Sequence, residues 1–318
     1  TRTYARAPVS SAEAEAAIDW IEDLEALGGT NIYMALSEAL AQLDPERATT
    51  MVFLTDGLPT EGIVEEEVLL DTLMKEAPET ARIFPFGVGY DVNVLLLDAL
   101  AQNHRGRPTY VEPDERIDEV ISTLYARMQS PLLTDVKLAL GEDGVSIYDI
   151  YPTELPDVYA GTQLIVTGRY SGRGSDTLEV SGRVNDRPVT YRYSVNFADH
   201  DGAAFVPRLW ATRKIGHLLT QIRLHGGQQE WIDAVVDLSL RYGIITPYTS
   251  FLIEEPEETL TREGRDQAGE EMAIEMEAAP TASTGADAVE DAKLGDGLGG
   301  AEAPVAGGGY EFEETEPG

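Results

Sequence analysis

The chain has no cysteine among its 318 residues, which excludes disulfides, zinc–thiolate centres and thiol nucleophiles. That lack fits a bacterial protein in any compartment. Basic residues are scarce: 23 Lys and Arg stand against 57 Asp and Glu, a formal net charge of −34. A surface of that sign repels nucleic acid and anionic membranes, so neither is an expected partner. No apolar run approaches the ~20 residues that cross a bilayer. No signal-peptide pattern opens the chain, which starts at Thr1 in mid-pattern and could have lost one. Histidine is confined to His104, His200, His217 and His225. None lies near a Gly-x-Ser-x-Gly turn or forms a His-x-x-x-His pattern, so the histidines supply no nucleophile–base pair. Gly87-Val88-Gly89 lacks the third glycine and helix start of a dinucleotide fingerprint. The chain is read as a binder rather than an enzyme.

Among the features present, the most telling is a pairing of two segments. The apolar run Thr49–Thr55 ends in Asp56-Gly57, and Gly28-Gly29-Thr30-Asn31 opens a helix shortly before it. An unbroken apolar run bounded by a turn reads as a buried parallel strand. In open α/β sheets, ligands bind where such strands end. Asp56 is therefore expected at the ligand-binding edge with the Thr30 hydroxyl on a neighbouring loop, two hard oxygen donors of the type that suits Mg²⁺ or Ca²⁺. Thr30 has a second reading as the helix N-cap, with Asn31 in the first turn. Asp91 is the nearest further carboxylate, and there a turn or N-cap role is the alternative.

Strand and helix alternate over Thr1–Ser130, the signature of a parallel sheet with covering helices. Ser10-Ser11-Ala12-Glu13 is a capping box before a stripe of Ala14, Ala17, Ile18, Ile21 and Leu24. Ile32, Leu36, Leu40 and Leu43 share a face of the second helix. A third carries Ile63, Val64, Val68, Leu69 and Leu73. Ala81–Gly89 reads as the next strand, in which Pro85 signals an edge or a bulge because it deletes a ladder donor. A helix over Val94–Gln102, a strand at Thr109–Val111 and a helix from Asp114 to about Met128 follow. Ile117, Val120, Ile121, Leu124 and Met128 are the expected buried face of that last helix.

At Pro131 the period changes to two-residue alternation, as in Thr177–Val184 and Val189–Val195, which predicts a small antiparallel sandwich. Two helices follow, about Val206–Leu224 and Gln228–Arg241, then a closing extended segment at Tyr242–Ile253. From Glu254 the composition turns to Glu, Ala, Gly, Thr and Pro, too poor in large apolar side chains to offset ordering entropy. The expected domains are thus 1–130, 131–253 and a disordered acidic tail over 254–318, with a transient helix around Glu270–Ala279. Tyr310-Glu311-Phe312 near its end is a candidate docking motif set against a solvated terminus.

Three blocks, Gly28–Ile32, Phe53–Gly57 and Phe86–Asn93, resemble a von Willebrand factor type A (VWA) domain. Ser130–Val136 and Tyr242–Ser250 are similar to the bacterial branch of the VIT–VWA group, related to the heavy chains of inter-alpha-trypsin inhibitor. The resemblance covers about Thr1–Ile253. It implies part of a VWA (Rossmann-like) α/β sheet, then a small antiparallel β domain with two helices. It also implies a metal-ion-dependent adhesion site (MIDAS), in which Thr30 and Asp56 match the Thr loop and the Asp loop. The Asp-x-Ser-x-Ser loop and the VIT domain have no counterpart, and Ser10-Ser11 lack the preceding strand and Asp. The chain is accordingly expected to be N-terminally truncated, with Thr49–Thr55 unpaired on one side and Mg²⁺ (or Mn²⁺ or Ca²⁺) bound weakly or not at all. The resemblance further implies a protein ligand offering a carboxylate to the metal, and a location in the cell envelope or outside the cell. A metal-independent envelope scaffold and a metal-dependent hydrolase acting through Asp56 are the alternatives.

Overall fold

The computed structural model describes residues 10–246, apart from 26–27, 46–48, 79, 129–130, 142–143, 160–162, 185–186, 199–202 and 204, together with residues 283–303. The chain divides into two compact units, Thr1–Val120 and Ile121–Gly318.

In the first unit, β1 (Thr49–Thr55), β2 (Ala81–Val88) and β3 (Thr109–Val111) form a parallel sheet in that order. The register runs from Thr49↔Ala81 to Thr55↔Gly87, and β3 joins at Phe86↔Thr109. Parallel neighbours need crossovers, and helices supply them. α3 (Glu66–Glu76) links β1 to β2, and α4 (Val94–Asn103) links β2 to β3. β2 is buried along most of its length (Ile83, Phe86), and α4 is buried at Val94, Leu96, Leu97, Leu100 and Ala101. A Cβ on Gly87 would lie 2.9 Å from both Leu97 Cδ1 and Val92 Cγ2. That glycine lets the helix lie close on the strand.

Pro85 departs from the expectation of an edge: it sits buried in the central strand, opposite Phe53. Donors alternate sides along a strand, and the Ile83 N–H donates to His104 O (3.3 Å) on the β3 side. The donor that Pro85 lacks would point to that same side, ahead of the first β3 pairing at Phe86. The sheet therefore loses no ladder bond.

α1 (Ser11–Glu22) and α2 (Ile32–Leu40) precede β1. α1 is capped as expected, Ser10 Oγ accepting from Glu13 N (3.2 Å). Its stripe is not buried: Ile18 is 54% and Ile21 58% exposed. α2 does bury Ile32, Leu36 and Leu40, and α3 buries Leu69 and Leu73 while Val64 and Val68 stay exposed. On α5 (Ile117–Met128) the face expected to be buried is only half so; Ile117 is exposed and Val120, Ile121 and Leu124 are intermediate. The side chain of Met128 lies outside the described residues.

The second unit carries antiparallel sheets. One is ordered β6 (Val158–Tyr159), β4 (Pro131–Leu140), β8 (Gly174–Val184), β9 (Arg187–Phe197); the other pairs β5 (Ser146–Tyr151) with β7 (Thr167–Ser171). The hairpin from β8 to β9 runs in unbroken register from Gly174↔Phe197 to Val184↔Arg187. The buried cluster of this unit is built chiefly on α6 (Val206–His225) and α7 (Gln229–Tyr242), through Trp210, Ile215, Leu219, Ile232, Val235 and Leu238.

Within the segment expected to be disordered, residues 286–299 form helix α8. It buries Ala288, Val289, Ala292 and Leu298 against α6. Small residues permit the contact: a Cβ on Gly216 would come within 2.2 Å of Gly299 N. Arg213 Nε donates to Ala301 O (2.8 Å) and Arg223 Nη1 to Asp291 O (3.2 Å). Large apolar side chains are not needed when backbones approach this closely. The helix expected at Glu270–Ala279, the extended stretch beyond residue 246 and the Tyr310–Phe312 motif lie outside the described residues.

Candidate functional site

The C-terminal ends of β1, β2 and β3 define one rim of the parallel sheet, where the loops beginning at Asp56, Gly89 and Glu112 emerge. The backbone of Asp56-Gly57 is held by the residue before it. The Thr55 hydroxyl donates to Gly57 O (3.0 Å) and accepts from Gly57 N (3.4 Å), while Thr55 is itself buried. This brace leaves the Asp56 side chain exposed. No described residue hydrogen-bonds to its carboxylate or pairs with it.

The loop ahead of α2 is knitted to the loop after β1. Thr60 N and Glu61 N both donate to Thr30 O (2.8 and 3.1 Å). In return, Thr30 N donates to Thr60 Oγ1 (2.7 Å) and Gly29 N to Glu61 Oε1 (3.2 Å). Cβ atoms would not fit in this seam: one on Gly29 would lie 2.6 Å from Thr60 Oγ1, and one on Gly62 2.6 Å from the Asn31 amide. Gly62 also has φ +74°, a conformation that disfavours any side chain. The two loops that carry Thr30 and Asp56 thus meet at the strand-end rim.

Thr30 is not the helix cap. Asn31 takes that place, its Oδ1 accepting from Met34 N (2.9 Å). Asn is as strong an N-cap as any residue, and its use frees the Thr30 hydroxyl, which has no hydrogen-bond partner among the described residues. Asp91 is likewise no cap. Asn93 caps α4 through Oδ1 to Leu96 N (3.0 Å), and its amide donates to the Glu66 carboxylate at the start of α3. That bond joins the loop after β2 to the helix after β1. Thr55, Thr60, Glu61, Glu66 and Asn93 were not singled out in the sequence, because their work is contact between loops distant in the chain. The Thr that precedes the strand-end Asp-Gly turn was the one local signal available.

The donors gathered here are hydroxyl and carboxylate oxygens, which match a hard dication in kind. They are few. No group of three or more His, Asp or Glu suited to a metal occurs among the described residues. The Glu61 carboxylate is committed in part to the Gly29 N–H. Magnesium commonly keeps several waters and takes one or two carboxylates, so Asp56 with Thr30 is a sufficient pair only if water fills the remaining positions.

Two of the described histidines have lowered pKa values. His104 is buried beside β2, and burial pushes its pKa down. The His217 ring packs at a tilt against Tyr151 (5.4 Å between centroids); burial first, and then the Lys214 charge, lowers its pKa.

Comparison with known proteins bears on the fold. Residues 4–109 match the family model described as von Willebrand factor type A domain. The chain is 26% identical over 273 residues to human inter-alpha-trypsin inhibitor heavy chain H4, covering 79% of this chain and 29% of that protein. It is 28% identical over 289 residues to rat inter-alpha-trypsin inhibitor heavy chain H3, covering 83% of this chain and 32% of that protein. It therefore spans about a third of the length of these relatives. Among solved structures, a von Willebrand factor type A protein from Catenulispora acidiphila superposes with a TM-score of 0.52 at 14% identity, over 86% of this chain and 75% of that one. Residues 4–109 are thus similar to a von Willebrand factor type A domain, and most of the chain is similar to a part of the inter-alpha-trypsin inhibitor heavy chains.

Proposed function

We propose that this VWA domain is a protein-binding module whose strand-end rim holds a divalent cation, Mg²⁺ foremost and Mn²⁺ or Ca²⁺ as substitutes, through the Asp56 carboxylate and the Thr30 hydroxyl. The observation that carries the reading is a contrast. The backbone groups of the Thr30 loop and the hydroxyl of Thr60 are hydrogen-bonded, while the Thr30 hydroxyl and the Asp56 carboxylate have no partner among the described residues. A bound dication would leave a coordination position for a carboxylate of the protein ligand. The residues of this chain orient the two oxygens and shape the surrounding surface, with specificity assigned to the loops Leu58–Glu61 and Tyr90–Asn93. The function is recognition rather than turnover. Action in the cell envelope or outside the cell is part of the same reading, and no helix among the described residues is long and apolar enough to cross a membrane.

A second reading, a metal-independent envelope scaffold, draws support from the lack of any three-acid group among the described residues. Titration of Mn²⁺ followed by electron paramagnetic resonance separates the two. The adhesion reading expects saturable binding to the full chain, weak in absolute terms, and at least about tenfold weaker in Asp56→Ala and Thr30→Val. Binding unchanged by both substitutions, or none at millimolar Mn²⁺, would leave the scaffold.

A further inference from the structure

The second unit has a cleft of about 390 Å³ between β7, α6 and α7. Its wall is cationic and aromatic, in a chain with an excess of 34 negative charges. Trp210 is the buried floor, its indole donating to Asp149 O (2.9 Å). The Arg169 guanidinium lies 5.5 Å from the Trp210 ring centroid and 5.4 Å from that of Tyr148. Lys214 Nζ lies 5.1 Å from the Trp210 ring and pairs with Asp149 Oδ2 (2.9 Å). Arg241 stacks on Tyr242 at 5.5 Å.

Two of these cations are held without being neutralised. Arg169 and Arg241 are exposed, lean on aromatic faces and have no carboxylate within ion-pair distance among the described residues. Asp237 lines the same cleft and pairs with neither. An arginine stacked on a ring keeps its planar fork free and pre-oriented for a carboxylate. Tyr242, half-buried, lines the cleft with the exposed Val206 and Pro207, an apolar wall for an aromatic side chain. The ligand chemistry is thus an aromatic residue flanked by carboxylates.

The chain itself contains such a segment. Tyr310-Glu311-Phe312-Glu313-Glu314-Thr315-Glu316 has two aromatics, four glutamates and no cation. It is also within reach. The bond from Arg213 Nε fixes Ala301 to α6, three residues along the helix from Trp210. The seven residues from 303 to 310 span up to about 25 Å. We propose that the cleft is a docking site for residues 310–316 of this chain, the aromatic rings against Tyr242, Val206 and Pro207 and the glutamates on Arg169 and Arg241.

The test uses the full chain and a labelled synthetic peptide of residues 307–318, with binding read by fluorescence anisotropy. The peptide should bind the variant Tyr310→Ser/Phe312→Ser at least about tenfold more tightly than the natural chain, whose own segment competes. Adding Arg169→Glu/Arg241→Glu to that variant should weaken binding about tenfold or more, and raising salt should weaken it further. If charge reversal lowers the melting temperature, Arg169→Gln/Arg241→Gln gives the same comparison. No binding to the serine variant, or binding indifferent to the arginines, overturns the site. Equal affinity for the serine variant and the natural chain overturns the assignment of the occupant and points to an acidic segment of another protein.

Discussion

At the scale of single residues, backbone approach and burial decide more than side-chain chemistry. Gly106 is the clearest case: a Cβ there would fall 1.6 Å from Ile83 O. Gly106→Ala should destabilise the first unit by about 2–3 kcal/mol, as overpacking against backbone does, measured by urea denaturation. His104 gives a pH dependence. Burial lowers its pKa below the ordinary value of 6.5, and its Nε2 is buried without a hydrogen-bond partner among the described residues. The unfolded chain then binds a proton that the folded chain refuses, so stability should fall as the pH drops below 6.5. His217 adds to the same slope for the same reason. Urea midpoints between pH 7 and about pH 5.5 should decline less in His104→Gln/His217→Gln than in the natural chain; parallel declines would contradict this. The sequence displayed the residues that matter locally, Ser10 as cap and Asp56 at a strand end. It offered Thr30 as the cap of α2 with Asn31 in the first turn, whereas Asn31 is the cap; both are good caps, and the choice follows from how Thr30 is tied to Thr60. Gly106 was invisible because its neighbour is a carbonyl more than twenty positions away.

At the scale of elements, periodicity showed that a face is apolar but not what lies against it. Ile32, Leu36 and Leu40 are buried, whereas the equally regular Ile18 and Ile21 of α1 are exposed. The face of α5 falls between these cases. Composition misled in the opposite direction at α8, whose Ala- and Gly-rich sequence reads as disorder yet packs on α6 through small residues. The prediction at this scale concerns that contact. Gly216→Val would drive a branched side chain into the backbone of Gly299 and should release α8, seen as faster amide exchange over residues 286–299 with α7 still protected. Unchanged exchange would mean that the close approach is not what holds the helix. Pro85 teaches the reverse lesson, since a strand position that looked disqualifying is tolerated where the missing donor has no ladder partner.

At the scale of the molecule, alternation of strand and helix followed by two-residue alternation was enough to read the fold class, because each pattern demands its own kind of partner layer. The strand-end rim was legible for a related reason: parallel strands put all their C-terminal ends together, so one strand-end Asp-Gly locates the whole edge. The bracing contacts across that edge were not legible, since Thr30 to Thr60 and Asn93 to Glu66 join loops far apart in sequence. The account rests on a dication placed between the Thr30 and Asp56 oxygens. Diffraction from crystals of the full chain grown with Mn²⁺ tests it most directly. An anomalous-difference peak about 2.0–2.5 Å from an Asp56 carboxylate oxygen, with the Thr30 hydroxyl or its water at the same ion, is the predicted result. Manganese bound only elsewhere, or Thr30 and Asp56 turned away from one another with no peak between them, would contradict it.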